Sequence, residues 1–188
     1  MTHFRQSLDA ARQTLDSLRE FEAPIAKAAD AVLTALTAGR KLMLCGNGGS
    51  SSDAAHIAAE FVCRFLGDRR PYPAMALGVD GGLLTAIGND YEFADVFERQ
   101  VHAFGQPGDV LIGISSSGKS RNILAAIGEA RKRGLFTIAL LGRDGGFTKG
   151  AADLEMIVPG AVTARIQEAQ HFLLHVLCEL VEEKLPRE

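Results

Sequence analysis

The sequence predicts a three-layer α/β domain in which a five-stranded parallel sheet is covered on both faces and helices lead and close the chain. Three observations carry this. Five runs, "KLMLC" (41–45), "PAMAL" (73–77), "DVLIGI" (109–114), "TIALL" (137–141) and "LEMIVP" (154–159), are short and nearly all apolar, as strands buried on both faces are. Helix-length segments separate each run from the next, as parallel crossovers require. Both ends of the chain carry helical periodicity.

In order, Phe4, Leu8, Ala11, Leu15 and Leu18 mark a first amphipathic helix, and a second opens at Pro24 and closes near Gly39. After "KLMLC" and a glycine turn, Ala55, Ile57, Ala58, Phe61 and Val62 supply the apolar face of a third helix. "RKRG" at 131–134 is the solvated end of a helix, where cations suit the dipole. The last helix begins near Val162 and runs to about Lys184.

With 188 residues, 47% of them hydrophobic, the chain is long enough for one well-buried core and short for two. Linkers, low-complexity tracts and strong repeats are lacking, so residues 1–188 are expected to form a single domain. A net charge of -3 without a long basic run leaves no electrostatic footprint for nucleic acid. The amino terminus lacks a signal-peptide apolar block and no run reaches membrane-spanning length, so no membrane partner is expected. Cys45, Cys63 and Cys178 are odd in number and lie in apolar contexts, which predicts buried thiols in a reducing cytoplasm.

In such sheets ligands bind beyond the carboxyl ends of the strands, and two turns there are rich in chemistry. The first is "CGNGGSSSDAAHIAAEF" (45–61), where Gly46, Gly48 and Gly49 let a ligand approach the backbone. Ser50 to Asp53 stand where a helix start leaves amides free for an anion, although each also suits an ordinary cap. The second, "GISSSGKSRNIL" (113–124), places Ser115, Ser116, Ser117 and Ser120 ahead of another helix; four serines around one glycine suit a polar loop, but the matching loop after "KLMLC" favours a phosphate cradle.

Gly113 to Ser120 also satisfies the P-loop pattern G-x-x-x-x-G-K-[ST]. Gly113 sits inside the apolar strand, however, and Asp80 and Asp144 follow turns, so no convincing magnesium ligand accompanies it. A nucleotide hydrolase is the minor reading.

His56 and Glu60, four residues apart, project from one helical face and can reach one ion or one substrate, though such a pair is more often a surface contact. Gln167, His171 and His175 repeat that spacing on the last helix and need partners if buried. They could satisfy one another or point to solvent, and for His171 that is the expectation.

Together with "AIGNDY" (86–91) and "ARIQE" (164–168) followed by His175, these stretches resemble the sugar isomerase (SIS) family, nearest its phosphoheptose isomerase branch, over nearly the whole chain. The resemblance implies a flavodoxin-like sheet and a cytoplasmic homotetramer with active sites between subunits. It also implies one zinc ion per subunit. The implied reaction converts sedoheptulose 7-phosphate to D-glycero-D-manno-heptose 7-phosphate through an enediol or enediolate, for heptose-containing glycoconjugates. By position, Asn47, Gly48, Gly49 and Ser50 match the family's first substrate loop, Asn89 and Asp90 a second, and Ser115, Ser116, Ser117 and Ser120 the phosphate loop. His56, Glu60, Gln167 and His175 match the metal and catalytic set, with Glu60 and Gln167 also counted among the substrate contacts.

Moving a proton between C1 and C2 needs a base at carbon and an acid at oxygen. Glu60 is the candidate base and His175 the proton shuttle; a zinc ion would act as a Lewis acid instead. Gln167 and His175 are eight residues apart, about 12 Å along a helix, so the four-ligand set rests on the resemblance. Ala164 replaces an aspartate of some relatives, Gln170 a histidine, and Lys119 a frequent asparagine. Some SIS proteins of this length are non-catalytic binders, including one that associates with the replication initiator, and that is the alternative function.

Overall fold

The computed structural model describes Thr2 to Arg187. The hydroxyl of Thr2 accepts the Arg5 N–H and opens α1 (His3–Asp16), and a 3₁₀ turn (Ser17–Phe21) leads into α2 (Glu22–Thr37). Pro24 lies in the first turn of α2, where a missing N–H costs nothing. Then come β1 (Leu42–Gly46), α3 (Gly49–Val62), β2 (Ala74–Ala76), α4 (Gly81–Asp90), α5 (Glu98–Phe104) and β3 (Val110–Ser115). The chain closes with α6 (Arg121–Lys132), β4 (Phe136–Gly142), β5 (Leu154–Val158) and α7 (Thr163–Glu182).

All neighbouring strands pair in parallel, in the order β2-β1-β3-β4-β5. Alternate strand residues feed two cores. Leu42, Leu44, Ile112, Ile114 and Leu140 pack under α2, α3 and α7. Met43, Cys45, Leu111, Ala139 and Leu141 pack under α4, α5 and α6 on the other face. Gly113 belongs to the second set, because a Cβ there would stand 2.9 Å from Ile123 Cγ2 and push α6 off the sheet. Between β1 and β3 the strand order reverses, the position at which sheets of this kind form a ligand crevice past the strand ends.

Two expectations need correction. The segment between β4 and β5 contains a 3₁₀ turn (Gly146–Thr148) and no α-helix. Arg143, Gly145 and Gly146 have positive φ, which breaks a helical run, and the segment packs instead on the loop after β3. Cys63 is exposed, because it caps α3 beyond Phe61, the last buried residue of that helix. Cys45 and Cys178 are buried as expected, and burial pushes each thiol up to about 12.

On the α2 side, α3 and α7 are locked together at their carboxyl ends. Glu182 accepts the N–H groups of Phe65 (3.0 Å), Leu66 (2.7 Å) and Gly67 (3.1 Å) and pairs with Arg69 Nε at 3.0 Å. Arg69 in turn donates to the carbonyls of Glu60 (2.7 Å) and Phe61 (2.9 Å), satisfying acceptors that the end of α3 leaves open. Burial raises the Glu182 carboxyl, but the three N–H donors and Arg69 outweigh it and hold it below its ordinary value.

Glu182→Ala leaves the Arg69 guanidinium, 2% exposed, without its counter-charge, and should cost about 3–5 kcal/mol in urea unfolding. A carboxyl held low stabilises fully above its unfolded value of about 4.3, and that contribution fades as pH falls through the lower folded value. The stability gap between the native chain and Glu182→Gln should therefore narrow below about pH 4.

Candidate functional site

The crevice at the strand reversal is built from the loops after β1 and β3 and from the seam between α3 and α7. Gly48, at φ 57°, makes the turn, and the carbonyls of Asn47 and Gly48 accept the N–H groups of Ser50 and Ser51 at 3.1 and 3.0 Å. None of the serines caps α3; Ser50 is buried, and a Cβ on Gly46 would fall 2.5 Å from its carbonyl oxygen. Glycine at 46 is thus a packing requirement, and the Ser50, Ser51 and Ser52 amides at the start of α3 are already taken by the turn carbonyls.

The serine loop is held by its own hydroxyls. Ser115 Oγ stands 3.1 Å from Ser120 Oγ and accepts the Gly118 N–H at 3.1 Å, while Ser117 Oγ accepts the Lys119 N–H at 3.2 Å. Gly118 is buried at φ 65°, and its carbonyl accepts from the backbone and hydroxyl of Thr148 at 3.1 and 2.8 Å. A Cβ there would collide with the Gly145 carbonyl oxygen, 2.0 Å away. With Gly113 inside β3 and Lys119 pointing to solvent, the wide glycine loop that a P-loop needs is missing.

Asn122, which sequence reasoning missed, ties the two loops. Its side-chain amide donates to Asn47 Oδ1 at 2.8 Å and accepts from Asn47 Nδ2 at 2.9 Å, a reciprocal pair across 75 residues. Its oxygen also accepts the Ile123 N–H at 3.0 Å. The signal available was a polar residue on the apolar face of a helix, one place before Ile123.

α3 and α7 lie side by side and parallel, so that equivalent turns face each other along one seam. Gly49 meets Gln167: a Cβ on the glycine would stand 2.9 Å from Gln167 Nε2. One turn on, Asp53 Oδ1 lies 2.9 Å from His171 Nδ1. One further turn brings His56 Nε2 within 3.1 Å of His175 Nε2 and 3.2 Å of Glu60 Oε1. Burial, with His171 and His56 beside it, holds His175 below the usual imidazole value, against the opposing pull of Glu60 and Glu179.

The donor set suits a zinc ion. Donors bound at 2.0–2.1 Å to a tetrahedral ion stand about 3.3–3.4 Å apart, close to the 3.1 and 3.2 Å seen here. Each of His56, His171 and His175 also offers a ring nitrogen within 4.8 Å of the others. His171, expected to satisfy its own helix neighbours or point to solvent, instead meets Asp53 across the seam, inside the histidine group. Gln170 turns away from the seam into the core and donates to the Leu140 carbonyl at 3.0 Å, so its departure from relatives leaves the seam untouched. Asn89 and Asp90 close α4, exposed and bonded to each other at 2.8 Å; among the described residues no hydrogen bond joins them to the loops or the seam.

Comparison with known proteins agrees with this architecture. A family model described as SIS domain matches residues 6–142. The phosphoheptose isomerase of Geobacter sulfurreducens is 51% identical, covering 95% of both chains. Solved phosphoheptose isomerases from Neisseria gonorrhoeae and Francisella tularensis superpose with TM-scores of 0.84 and 0.89. The first is 42% identical over 96% of this chain and 95% of its own, the second 37% identical over 97% and 95%.

Because each amide of the Asn47 and Asn122 pair serves both as donor and acceptor, either alanine variant strands polar groups that the double variant removes. A double-mutant cycle followed by urea unfolding should give a coupling of about 1 kcal/mol or more. Additive losses would mean that the loops are held independently.

Proposed function

The chain belongs to the SIS domain family, and from that premise we propose that it is a phosphoheptose isomerase, interconverting sedoheptulose 7-phosphate and D-glycero-D-manno-heptose 7-phosphate through an enediol or enediolate. One observation carries the reaction: Glu60 and His175 meet around His56, on the seam of α3 and α7 whose first turn starts at the Gly48 loop. Ser115, Ser116, Ser117 and Ser120, with the start of α6, hold the phosphate. Asn47, Gly48, Gly49, Ser50 and Gln167 bind the sugar hydroxyls where the α3 start meets α7. Glu60 takes the proton from carbon, and His175 accepts and returns a proton on oxygen.

His56, Glu60, Gln167 and His175 form the set that would hold a zinc ion, which supplies Lewis-acid polarisation of the sugar carbonyl when bound. The domain is one SIS unit over residues 1–188. No helix among the described residues is long and apolar enough to cross a membrane, in keeping with a cytoplasmic enzyme. A homotetramer with sites between subunits is supported by α1, which buries none of its residues and leaves Phe4 (74%), Leu8 (45%) and Leu15 (41%) exposed along one stripe. Asn89 and Asp90, apart from the other groups in a single chain, join a site completed by a neighbouring subunit. The carboxylate and imidazole in place together favour this reading over a non-catalytic binder.

Glu60→Gln keeps the shape of the side chain and removes its basic oxygen. Turnover, followed by NMR with sedoheptulose 7-phosphate, should fall about 100-fold or more. Exchange of the C1 or C2 hydrogen with deuterated water should disappear with it, while substrate still binds. Retained exchange would move the base to His175.

Ser117→Ala and Ser120→Ala should raise KM more than Lys119→Ala does, since the lysine points to solvent and the hydroxyls line the loop. ATP hydrolysis abolished by Lys119→Ala would reverse this assignment in favour of a P-loop.

A further inference from the structure

Gln167 and His175 lie two turns apart on one stripe of α7, so any ion that both approach sits opposite the turn between them. His171 occupies that turn. Its ring is 4.3 Å from that of His175 and 5.1 Å from that of His56, edge to face in both cases. Its Nδ1 faces Asp53 Oδ1 at 2.9 Å. An ionised carboxylate only accepts, so Nδ1 carries the hydrogen and Nε2 is left with a free lone pair. Histidines that bind metals are commonly held this way, with the second ring nitrogen donating to a carboxylate that fixes the tautomer and the ring plane.

The Nε2 atoms of His56 and His175 stand 3.1 Å apart, so with both rings neutral one must donate its N–H to the other, while among the described residues the Nε2 lone pair of His171 has no hydrogen-bond partner. An ion between them satisfies all three at once. We propose that His171 is a third imidazole ligand of the metal site and that Asp53 is the carboxylate that orients it. The inference rests on the metal reading given above, and it adds two residues that the four-position family match does not include. With His171 the set has five donors around a five-coordinate ion, and the ring nitrogens, within 4.8 Å of one another, need to close by at most about 2 Å, a shift that side-chain rotation supplies. Asp53 comes from α3 and His171 from α7, so filling the site fastens the two helices in the register that aligns the crevice.

Zinc titrated into chelator-stripped full-length protein, in competition with a chromophoric chelator, tests this without recourse to activity. The native chain should bind one ion. His171→Ala should weaken binding by 100-fold or more, and Asp53→Asn by about 10–100-fold. The visible spectrum of the cobalt-loaded protein should change with His171→Ala. In the native chain, the His171 Nε2 resonance should shift on zinc addition while the Nδ1 hydrogen persists, a readout that holds even if a variant folds poorly. Native affinity and an unchanged cobalt spectrum in His171→Ala, or an unmoved His171 resonance, would overturn the third ligand and leave the metal site standing. A native chain that binds no zinc would overturn both.

Discussion

The parallel register of α3 and α7 is the constraint on which the site depends. The offset between facing residues is nearly constant, 118 for Asp53 and His171 and 119 for His56 and His175, so each turn of one helix addresses the corresponding turn of the other. A slip of one residue would rotate every pair by about 100° and dissolve the seam. Register is fixed from both ends. Close to the crevice, Gly49 admits the Gln167 amide where a larger residue would press on it. At the far end, Glu182 and Arg69 bind the last carbonyls of α3 and the loop beyond to α7.

The serine loop obeys a different constraint, that of close backbone approach. Gly118 lies against Gly145 and Gly146, while a Cβ on Gly142 would fall 2.3 Å from the Ser116 carbonyl. The loop is therefore pressed onto the segment after β4, which explains why that segment forgoes a helix. The hydroxyls of Ser115 and Ser120 bond to each other and not to a helix amide, and while Asn122 takes the Ile123 N–H, the Arg121 and Asn122 amides at the α6 start are left for an anion. Asn122 then links this rigid cradle to the other loop, so that phosphate and sugar ends of a substrate are held in one frame.

Much of this was legible in the sequence because the signals were local. Five apolar runs of strand length gave the strands and their parallel pairing, and the turns after the first and third of them gave the crevice. The pattern at Gly113 to Ser120 was ambiguous in sequence and becomes decided in space, where Gly113 packs against Ile123 within the sheet. The missing helix before β5 was illegible because its cause, the fit of Gly118 to Gly145, joins distant segments. Cys63 misled because Val62 and Phe65 make its surroundings look apolar, while the helix ends just there and turns the thiol outward.

Asn122 and the partner of His171 escape the sequence for the same reason. A side chain's local sequence shows whether it lies on a polar or apolar face, but not which group waits opposite it. Asn122 finds Asn47 across the switch between strands, and His171 finds Asp53 across the seam. Asp53 shows the limit most clearly: by position at a helix start it suits a cap, yet it makes no capping bond and turns instead toward α7. A carboxylate released from capping is free to orient an imidazole, and the ring of His171 so held stacks edge to face on His56 and His175. The chemistry of the seam thus follows from helix packing, which converts two weak four-residue spacings, each commonplace alone, into a convergent group of nitrogen and oxygen donors.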